Sequence, residues 1–233
     1  MPTIEEARSW YPGVTGPVNN TASTNDQVHG FDHVLRVYHL AERLAISEGA
    51  DLEIVRAAAL LHDANSSVQI ATRNQSPYGV EEENRPDHHL AAAEFAYQVL
   101  NAEGWSEERI AAVQHCIRAH RFRENTEAPQ TLEARVLFDA DKLDAIGAIG
   151  VARAIAYAVR AGQPTYAEPS LDFLQTGQKM EGEPHSAFHE FLFKLVKLKD
   201  RLYTATARSL AEERHRWMEA FFERLALEAK GEC

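Results

Sequence analysis

Ile54-Val55-Arg56-Ala57-Ala58-Ala59-Leu60-Leu61-His62-Asp63 is the stretch that decides the interpretation of this chain. It is an apolar run that ends in a histidine followed directly by an aspartate. Burying two such polar side chains costs free energy unless they are hydrogen-bonded or hold a metal ion. A divalent ion accepts both an imidazole nitrogen and a carboxylate oxygen. The stretch therefore raises two hypotheses for His62 and Asp63, namely a metal site and an ordinary hydrogen-bonded core pair.

Length and composition set the limits of the fold and of the partners. The chain has 233 residues and 45% hydrophobic content, which is enough to bury one substantial core, and we expect a single domain. The formal net charge of −11 disfavours a nucleic-acid polymer or an anionic membrane as partner, because both require basic surfaces. A small anionic substrate stays compatible with this charge, since a metal ion and a few cations act at short range.

The cysteines and the first residues indicate the compartment. Cys116 and Cys233 are the two cysteines of the sequence, too few for a disulfide framework, which favours a reducing environment. Residues 1–7 lack the basic and apolar segments of a signal peptide, and no apolar run has the length of a membrane span. We expect a soluble, cytoplasmic protein.

Apolar residues recur at steps of three and four along most of the chain, which predicts helices. No alternating pattern predicts a strand, so we expect an all-α helical bundle formed by residues 1–233 as one domain, with a core at about 26–160 and C-terminal helices at 185–230 packing on it. A long loop at 64–86 follows the His-Asp pair, and it is either a functional lid or a surface insertion. The predicted helices span 3–10, 26–49, 51–63, 87–100, 106–120, 187–203 and 205–227, with 132–140 and 144–160 as one long helix or two abutting helices.

Four side chains are the candidates for the chemistry: His33, His62, Asp63 and Asp141. Their spacing suits a helical bundle, in which ligands project inward from different helices. Two imidazoles and two carboxylates suit an octahedral divalent ion such as Mn²⁺, Fe²⁺, Co²⁺ or Mg²⁺. The residues alone do not choose between Asp139 and Asp141, because either could face inward. His29 and His33, four apart on a predicted helix, could form half of a zinc site, but no third soft ligand lies nearby.

Three sequence motifs follow one another along the chain. They are Gly30-Phe31-Asp32-His33-Val34-Leu35-Arg36-Val37, Ala58-Ala59-Leu60-Leu61-His62-Asp63 and Asp139-Ala140-Asp141-Lys142-Leu143-Asp144-Ala145-Ile146-Gly147. In this order they resemble the successive motifs of the HD superfamily of metal-dependent phosphohydrolases. The late residues 197–200 and 211–216 resemble a narrower branch, the small bacterial HD hydrolases of the YpgQ and YedJ kind. Resemblance to that branch implies a nucleotide pyrophosphohydrolase, which cleaves a nucleoside triphosphate to a monophosphate and pyrophosphate.

The resemblance implies a role for individual residues. His33, His62, Asp63 and Asp141 become the ligands of a divalent metal ion, and it is the Ala-Asp-Lys-Leu context that selects Asp141. Asp63 is also the candidate to take a proton from the attacking water. We expect Asp144, one turn after Asp141, to orient a ligand or a water.

The substrate is expected to meet a second set of side chains. Arg36 and Lys142 lie close in sequence to the ligands and would contact phosphate, although such residues are usually exposed and solubilising. Larger HD proteins place additional metal ligands near the positions of His88, His89, His115 and His120. His115 and His120 are five apart, a poor helical match for one shared ion, so we expect one metal ion per chain. We then expect His88, His89 and His120 to contact substrate or lid.

Other functions and surfaces stay open at this point. A phosphatase acting on nucleoside monophosphates and a regulatory module that binds a nucleotide without turnover are the alternatives. The sequence contains no Walker loop, GxGxxG, HExxH or GxSxG motif. A cationic cluster, Lys194, Lys197, Lys199 and Arg201, would either attract a polyphosphate or be a solvated face. Aromatic residues would line either a core or a homodimer contact, and these are Phe191, Phe193, Trp217, Phe221 and Phe222.

Overall fold

The computed structural model describes residues 1–11, 30–64, 88–121 and 127–233, with His88 described in its backbone alone. Within these ranges the chain is all-α, as predicted, and contains no strand. The helices are α1 (Ile4–Arg8), α2 (Phe31–Glu48), α3 (Leu52–Leu61), α4 (His88–Ala102), α5 (Glu107–Ala119), α6 (Leu132–Asp144), α7 (Gly147–Arg160), α8 (Leu171–Thr176), α9 (Ala187–Phe193) and α10 (Ala205–Lys230). The predicted loop at 64–86 and the predicted helix start at 26–29 lie outside the described residues, except for Ala64.

The described residues form two compact units. The first contains α1 to α5, α6 up to Asp141, and the short segment Tyr203–Thr206. The second contains Lys142–Leu202 and Ala207–Cys233. The single domain expected from the sequence stays a prediction. In the described part of the chain, no helix combines the length and the apolar character that crossing a membrane requires.

Helix α3 is the buried centre of the first unit. Asp51 caps its N-terminus by accepting hydrogen bonds from the backbone N–H groups of Glu53 and Ile54, the favourable arrangement for a helix start. The run Ala57–Leu61 is fully buried, and α3 contacts α1, α2, α4 and α5. The almost uniformly apolar composition of this helix is therefore explained by contact with neighbours on several sides.

Two helix ends in the first unit follow from local sequence. Thr3 and Glu6 form a capping box at the start of α1, in which each side chain accepts a hydrogen bond from the other residue's backbone N–H. Gly49 ends α2 in the left-handed conformation with φ of 78°, which glycine adopts without a steric penalty. The predicted end of this helix near Gly49 is confirmed.

The segment predicted as one long or two abutting helices is two helices. Helix α6 ends at Asp144 and α7 begins at Gly147. Gly147 has φ of 76°, and a Cβ atom there would lie 3.0 Å from the Arg214 Cγ atom in the second unit. A continuous helix would need a right-handed backbone at this position, so the positive φ ends the helical path.

The predicted helix at 187–203 is wrong after Phe193. Helix α9 ends there, and two short 3₁₀ turns follow at Leu195–Lys197 and Lys199–Arg201. Leu195 and Leu198 are buried, and their spacing of three residues matches the three residues per turn of a 3₁₀ helix. The same apolar spacing also fits an α-helix, which explains the wrong prediction.

The cationic cluster lies on these turns and on the end of α9. Lys194 forms an ion pair with Glu190 at 3.0 Å, and Lys199 lies 3.7 Å from Glu212. The Lys197 ammonium lies 4.6 Å from the centre of the Phe193 ring. A part of the cluster's charge is thus matched within the second unit, and attraction of a polyphosphate stays a prediction.

The aromatic residues near the C-terminus divide between core and surface. Phe191 and Phe222 are buried and stack with ring centres 4.5 Å apart. Trp217, whose ring stacks on Phe221, is 49% exposed, and Phe193 is 41% exposed. Two of the five rings therefore belong to the core of the second unit, and the homodimer contact stays a prediction.

A short helix and a hydrogen-bonded carboxylate organise the segment between α7 and α9. Ser170 caps α8 by accepting a hydrogen bond from the Phe173 N–H, and Gly177 ends it with φ of 74°. The Glu183 carboxylate accepts bonds from the Ser170 N–H and hydroxyl and from the Met180 N–H, at 2.7–2.8 Å. These bonds favour the ionised form and lower the pKa of Glu183 to about 2.

Acidification is expected to destabilise the protein through Glu183. Because the folded-state pKa of about 2 lies below the ordinary value of 4.5, the stabilisation is complete above pH 4.5 and is lost as the pH falls from there toward 2. Thermal unfolding followed between about pH 6 and about pH 3 should show the wild type approaching Glu183→Gln in melting temperature. Glu213→Gln, an exposed change on α10, is the control and should stay parallel to the wild type. A constant difference between the wild type and Glu183→Gln across this range would contradict the assignment.

Candidate metal centre

The His62 ring occupies the C-terminal end of α3. His62 is fully buried and follows the last helical residue, Leu61. Its Nδ1 atom lies 2.7 Å from the Ala59 carbonyl oxygen. Because a carbonyl oxygen can only accept, Nδ1 carries a hydrogen, and Nε2 is the ring nitrogen that remains available to a ligand. The local backbone thus fixes the orientation of this imidazole.

Three other predicted ligands lie around His62. The Nε2 atom of His33, on α2, lies 3.4 Å from Asp141 Oδ1 and 3.8 Å from Asp63 Oδ2. The Nε2 atom of His62 lies 3.6 Å from Asp63 Oδ2. One nitrogen or oxygen atom from each of His33, His62 and Asp141 lies within 4.8 Å of the other two. Side chains from three helices of the first unit therefore meet at one point.

His120 faces the same point from α5. It is buried at the C-terminal end of that helix, and its Nδ1 atom lies 2.5 Å from the Ile117 carbonyl oxygen. Its Nε2 atom lies 3.7 Å from Asp63 Oδ1. Asp63 thus directs one carboxylate oxygen toward His33 and His62 and the other toward His120.

The residues of this cluster fit a divalent metal ion. The buried His62 Nε2 atom has no hydrogen-bond partner within the described ranges, which is costly for a polar atom unless it binds something. Two ligand atoms that each lie about 2.1 Å from one octahedral ion are about 3.0 Å apart when they are adjacent and about 4.2 Å apart when they are opposite. The nitrogen–oxygen distances within the cluster, 3.4–3.8 Å, fall between these two values. Two carboxylates also match the charge of a divalent ion.

Comparisons with known proteins place the chain in a family. A model of the HD domain matches residues 30–146, and this range contains all four of the predicted ligands. The uncharacterized protein YpgQ of Bacillus subtilis is 33% identical over 230 residues, which cover 97% of this chain and 94% of YpgQ. The chain belongs to the HD domain family. The family resemblance noted in the sequence motifs is confirmed.

Two solved structures are similar to this chain in sequence and in fold. The crystal structure of Bacillus subtilis YpgQ in complex with ADP matches with a TM-score of 0.66 and 31% identity, covering 99% of this chain and 100% of that chain. The crystal structure of an HD-superfamily hydrolase from Bacillus thuringiensis matches with a TM-score of 0.63 and 29% identity, covering 97% and 96% of the two chains.

The two aspartates of the third HD motif have different surroundings. Asp139 is fully buried, and its carboxylate accepts bonds from the N–H groups of Tyr203 and Thr204 and from the Thr204 hydroxyl, at 2.7–2.9 Å. Asp141 instead lies beside His33. Residues two apart on a helix point to different sides, so one carboxylate anchors the segment before α10 while the other faces the centre.

Several other predicted site residues have described positions. Arg36 follows His33 by one turn on α2 and is half-buried, and His89 is buried in the first turn of α4. His115 is not part of the cluster, because its Nδ1 atom lies 2.5 Å from Glu127 Oε1 and its Nε2 atom accepts a bond from the Gln130 N–H. The side chain of His88 and all of His29 lie outside the described part of the molecule.

Lys142 and Asp144 lie in the second unit, at the end of α6. Asp144 is buried, and its Oδ2 atom accepts a hydrogen bond from the Arg153 guanidinium at 3.0 Å. Lys142 is half-buried. The predicted roles of these two residues, like those of the four ligands, stay predictions.

Tyr11 is close to the centre and was not identified from the sequence. Its hydroxyl donates a hydrogen bond to the Leu60 carbonyl at 2.8 Å. Burial raises the pKa of Tyr11, and the nearby charge of Asp63 raises it further. The sequence around Tyr11 gives little indication of this contact. Tyr11 precedes the turn-forming residues Pro12-Gly13, and its partner Leu60 lies 49 residues further along the chain.

Substitutions at the two α6 aspartates should separate their roles. Asp139→Asn is expected to lower the free energy of unfolding by about 2–3 kcal/mol, because a charged acceptor of three hydrogen bonds, two of them buried, is lost. Asp141→Asn, measured without added metal, should change it by less than about 1 kcal/mol. Urea unfolding in the presence of a chelator measures both. Equal destabilisation by the two variants would contradict the division of roles.

Proposed function

We propose that this HD protein is a divalent-metal-dependent phosphohydrolase that acts on nucleotides and releases pyrophosphate from nucleoside triphosphates. The observation that carries the proposal is the convergence of ligand atoms from His33, His62 and Asp141 within 4.8 Å of one another, beside Asp63. Membership of the HD family and the solved HD-superfamily hydrolase support a hydrolase. The ADP bound to YpgQ supports a nucleotide as the ligand.

The proposed metal ligands are His33, His62, Asp63 and Asp141, and we expect them to hold one ion. When bound, a divalent ion makes a coordinated water more acidic and neutralises negative charge on the phosphoryl oxygens. Two imidazoles and two carboxylates suit Mn²⁺, Fe²⁺, Co²⁺ or Mg²⁺. His33 and Asp141 lie on helices, and His62 and Asp63 directly follow one, so the backbone of these elements positions the four side chains.

Asp63 is the proposed proton acceptor. Its Oδ2 atom lies 3.6 Å from His62 Nε2, whereas its Oδ1 atom lies 3.7 Å from His120 Nε2. One oxygen can therefore remain among the ligand atoms while the other receives a proton from the attacking water. The pair of Asp63 Oδ1 and His120 Nε2 forms the side of the cluster on which we place the substrate.

The proposed reaction cleaves the triphosphate at its α-phosphorus. The water oxygen forms a bond to this atom while the bond from the α-phosphorus to the α,β-bridging oxygen breaks. The electron pair of that bond leaves with pyrophosphate, and the water proton passes to Asp63. The products are a nucleoside monophosphate and pyrophosphate.

Cationic and imidazole side chains are proposed to bind the phosphates. Arg36 extends from the turn of α2 that follows His33, and its guanidinium would form paired hydrogen bonds to phosphoryl oxygens. Lys142, directly after Asp141, would add a second positive charge. The histidines proposed to contact the substrate are His88, His89 and His120.

Nucleotide hydrolysis assays test this function. The purified protein with Mn²⁺ should release pyrophosphate from one or more nucleoside triphosphates, measured by separate detection of pyrophosphate and phosphate. Asp63→Asn should lower the rate by about a hundredfold or more, because a metal ligand and a proton acceptor are lost together. Asp32→Asn is the matched control, since this carboxylate is next to His33 in sequence but exposed, and it should keep wild-type activity.

The same assays distinguish the two alternative functions, a phosphatase and a regulatory binding module. Phosphate released from nucleoside monophosphates would replace the proposal by a phosphatase. Tight nucleotide binding without turnover of any nucleotide would replace it by a regulatory binding module. Activity in Asp63→Asn equal to that of Asp32→Asn would remove Asp63 from the mechanism.

Metal binding is tested without an activity assay. Native mass spectrometry should count one Mn²⁺ per chain, and Mn²⁺ at a hundred times its Kd should raise the free energy of unfolding by about 2.7 kcal/mol. His62→Ala should abolish both effects, whereas His39→Ala, an exposed histidine on the same α2 helix as His33, should abolish neither. Two tightly held ions per chain would contradict the proposed single ion.

A further inference from the structure

Helix α3 ends in a turn whose backbone carbonyls are bound one after another. The Ala59 carbonyl accepts from the His62 ring at 2.7 Å, the Leu60 carbonyl from the Tyr11 hydroxyl at 2.8 Å, and the Leu61 carbonyl from the Ala64 N–H at 3.1 Å. The last carbonyls of a helix need such partners because the helical ladder stops. The middle one of the three partners comes from a residue far away in sequence.

Tyr11 reaches this turn from the N-terminal segment that follows α1. It is 5% exposed, so the hydroxyl group has been removed from water together with the Leu60 carbonyl. A buried carbonyl without a partner costs about 1–3 kcal/mol, and the tyrosine hydroxyl removes that cost. The tyrosine hydroxyl therefore helps to fix the backbone at the end of α3. His62 and Asp63 are the two residues that directly follow this helix.

The same tyrosine also touches the helix that carries His33. Its ring centre lies 5.8 Å from that of Phe31, the first residue of α2 and two positions before His33. The guanidinium of Arg8, in α1, lies 5.0 Å from the centre of the Phe31 ring. One side chain thus contacts the start of α2 and the end of α3, the two helix ends that present His33, His62 and Asp63.

We propose that Tyr11 is a positioning residue of the metal centre. Its hydroxyl fixes the turn that carries His62 and Asp63, while its ring holds the first turn of α2, which carries His33. It acts through the backbone and contacts neither ion nor substrate. This inference rests on the proposed metal-binding function of the four ligands.

The substitution Tyr11→Phe tests the proposal, because it keeps the ring and removes the hydroxyl. Isothermal titration with Mn²⁺ should show binding weakened by about tenfold or more, the usual effect of losing a group that orients a ligand. The electron paramagnetic resonance spectrum of bound Mn²⁺ should also change, since the coordinating side chains are displaced.

Two control variants accompany Tyr11→Phe, one for the loss of a tyrosine hydroxyl and one for the loss of stability. Tyr97→Phe removes a hydroxyl that donates to Glu107 at 3.2 Å in the same unit and should leave Mn²⁺ affinity unchanged. Val113→Ala, in the buried face of α5, removes no hydrogen bond of the α3 turn. It should lower the free energy of unfolding and leave the Mn²⁺ affinity unchanged.

The outcomes separate this inference from the proposed function. If the wild type binds Mn²⁺ and Tyr11→Phe binds it equally well, the positioning role is overturned and the metal site stands. Weakening by Val113→Ala as large as that by Tyr11→Phe would overturn it as well, because general instability would explain both. Absence of Mn²⁺ binding by the wild type would overturn the proposed function, and this inference with it.

A second variant covers the case in which Tyr11→Phe does not fold. Phe31→Leu removes the ring against which Tyr11 packs and keeps the Tyr11 hydroxyl. It should weaken Mn²⁺ binding in the same direction, and unchanged binding would overturn the proposal.

Discussion

The hydrogen bond from the His62 ring to the Ala59 carbonyl is the interaction on which the candidate metal centre depends. It satisfies a carbonyl at the end of a buried helix, and it leaves the other ring nitrogen, Nε2, buried without a hydrogen-bond partner among the described residues. A buried polar atom without a partner costs free energy, which a bound metal ion would remove. Helix termination and ligand orientation are thus achieved by one contact, and His120 repeats the arrangement with the Ile117 carbonyl at the end of α5.

The carboxylates of the first unit have two kinds of surroundings. Asp63 and Asp141 are held beside imidazoles, where two acids at close range would repel each other unless a cation lies between them. Asp139 lies two residues before Asp141. Its carboxylate accepts hydrogen bonds from two backbone N–H groups and a hydroxyl of the segment before α10. A single helix therefore carries one carboxylate that binds the segment before α10 and another that lies beside His33.

The sequence predicted the helices well where local signals were strong. Three predicted helices begin at Thr3, Asp51 and Ser106, and in the structure each of these residues caps the start of a helix. The same approach failed after Phe193, because leucines three apart fit either an α-helix or 3₁₀ turns. It also missed α8, although Ser170 and Gly177 are good capping residues, because the intervening segment is too short to show a period.

The sequence also predicted some features of the candidate site and left others open. The ordered HD motifs sufficed to select His33, His62, Asp63 and Asp141 and to identify the family, since motif residues are read directly from the chain. The choice between Asp139 and Asp141 on residue type alone was open, because both are aspartates on one helix and only their neighbours in space differ.

By itself, the sequence determined the all-α class, the family and the residue types available to bind a metal, because periodicity, capping and motifs are local properties. Only the tertiary structure decided that His120 joins the cluster, that His115 is bound by Glu127, and that Tyr11 supports the end of α3. These outcomes depend on contacts between segments far apart in the chain, and no local pattern specifies which distant side chain fills a given position.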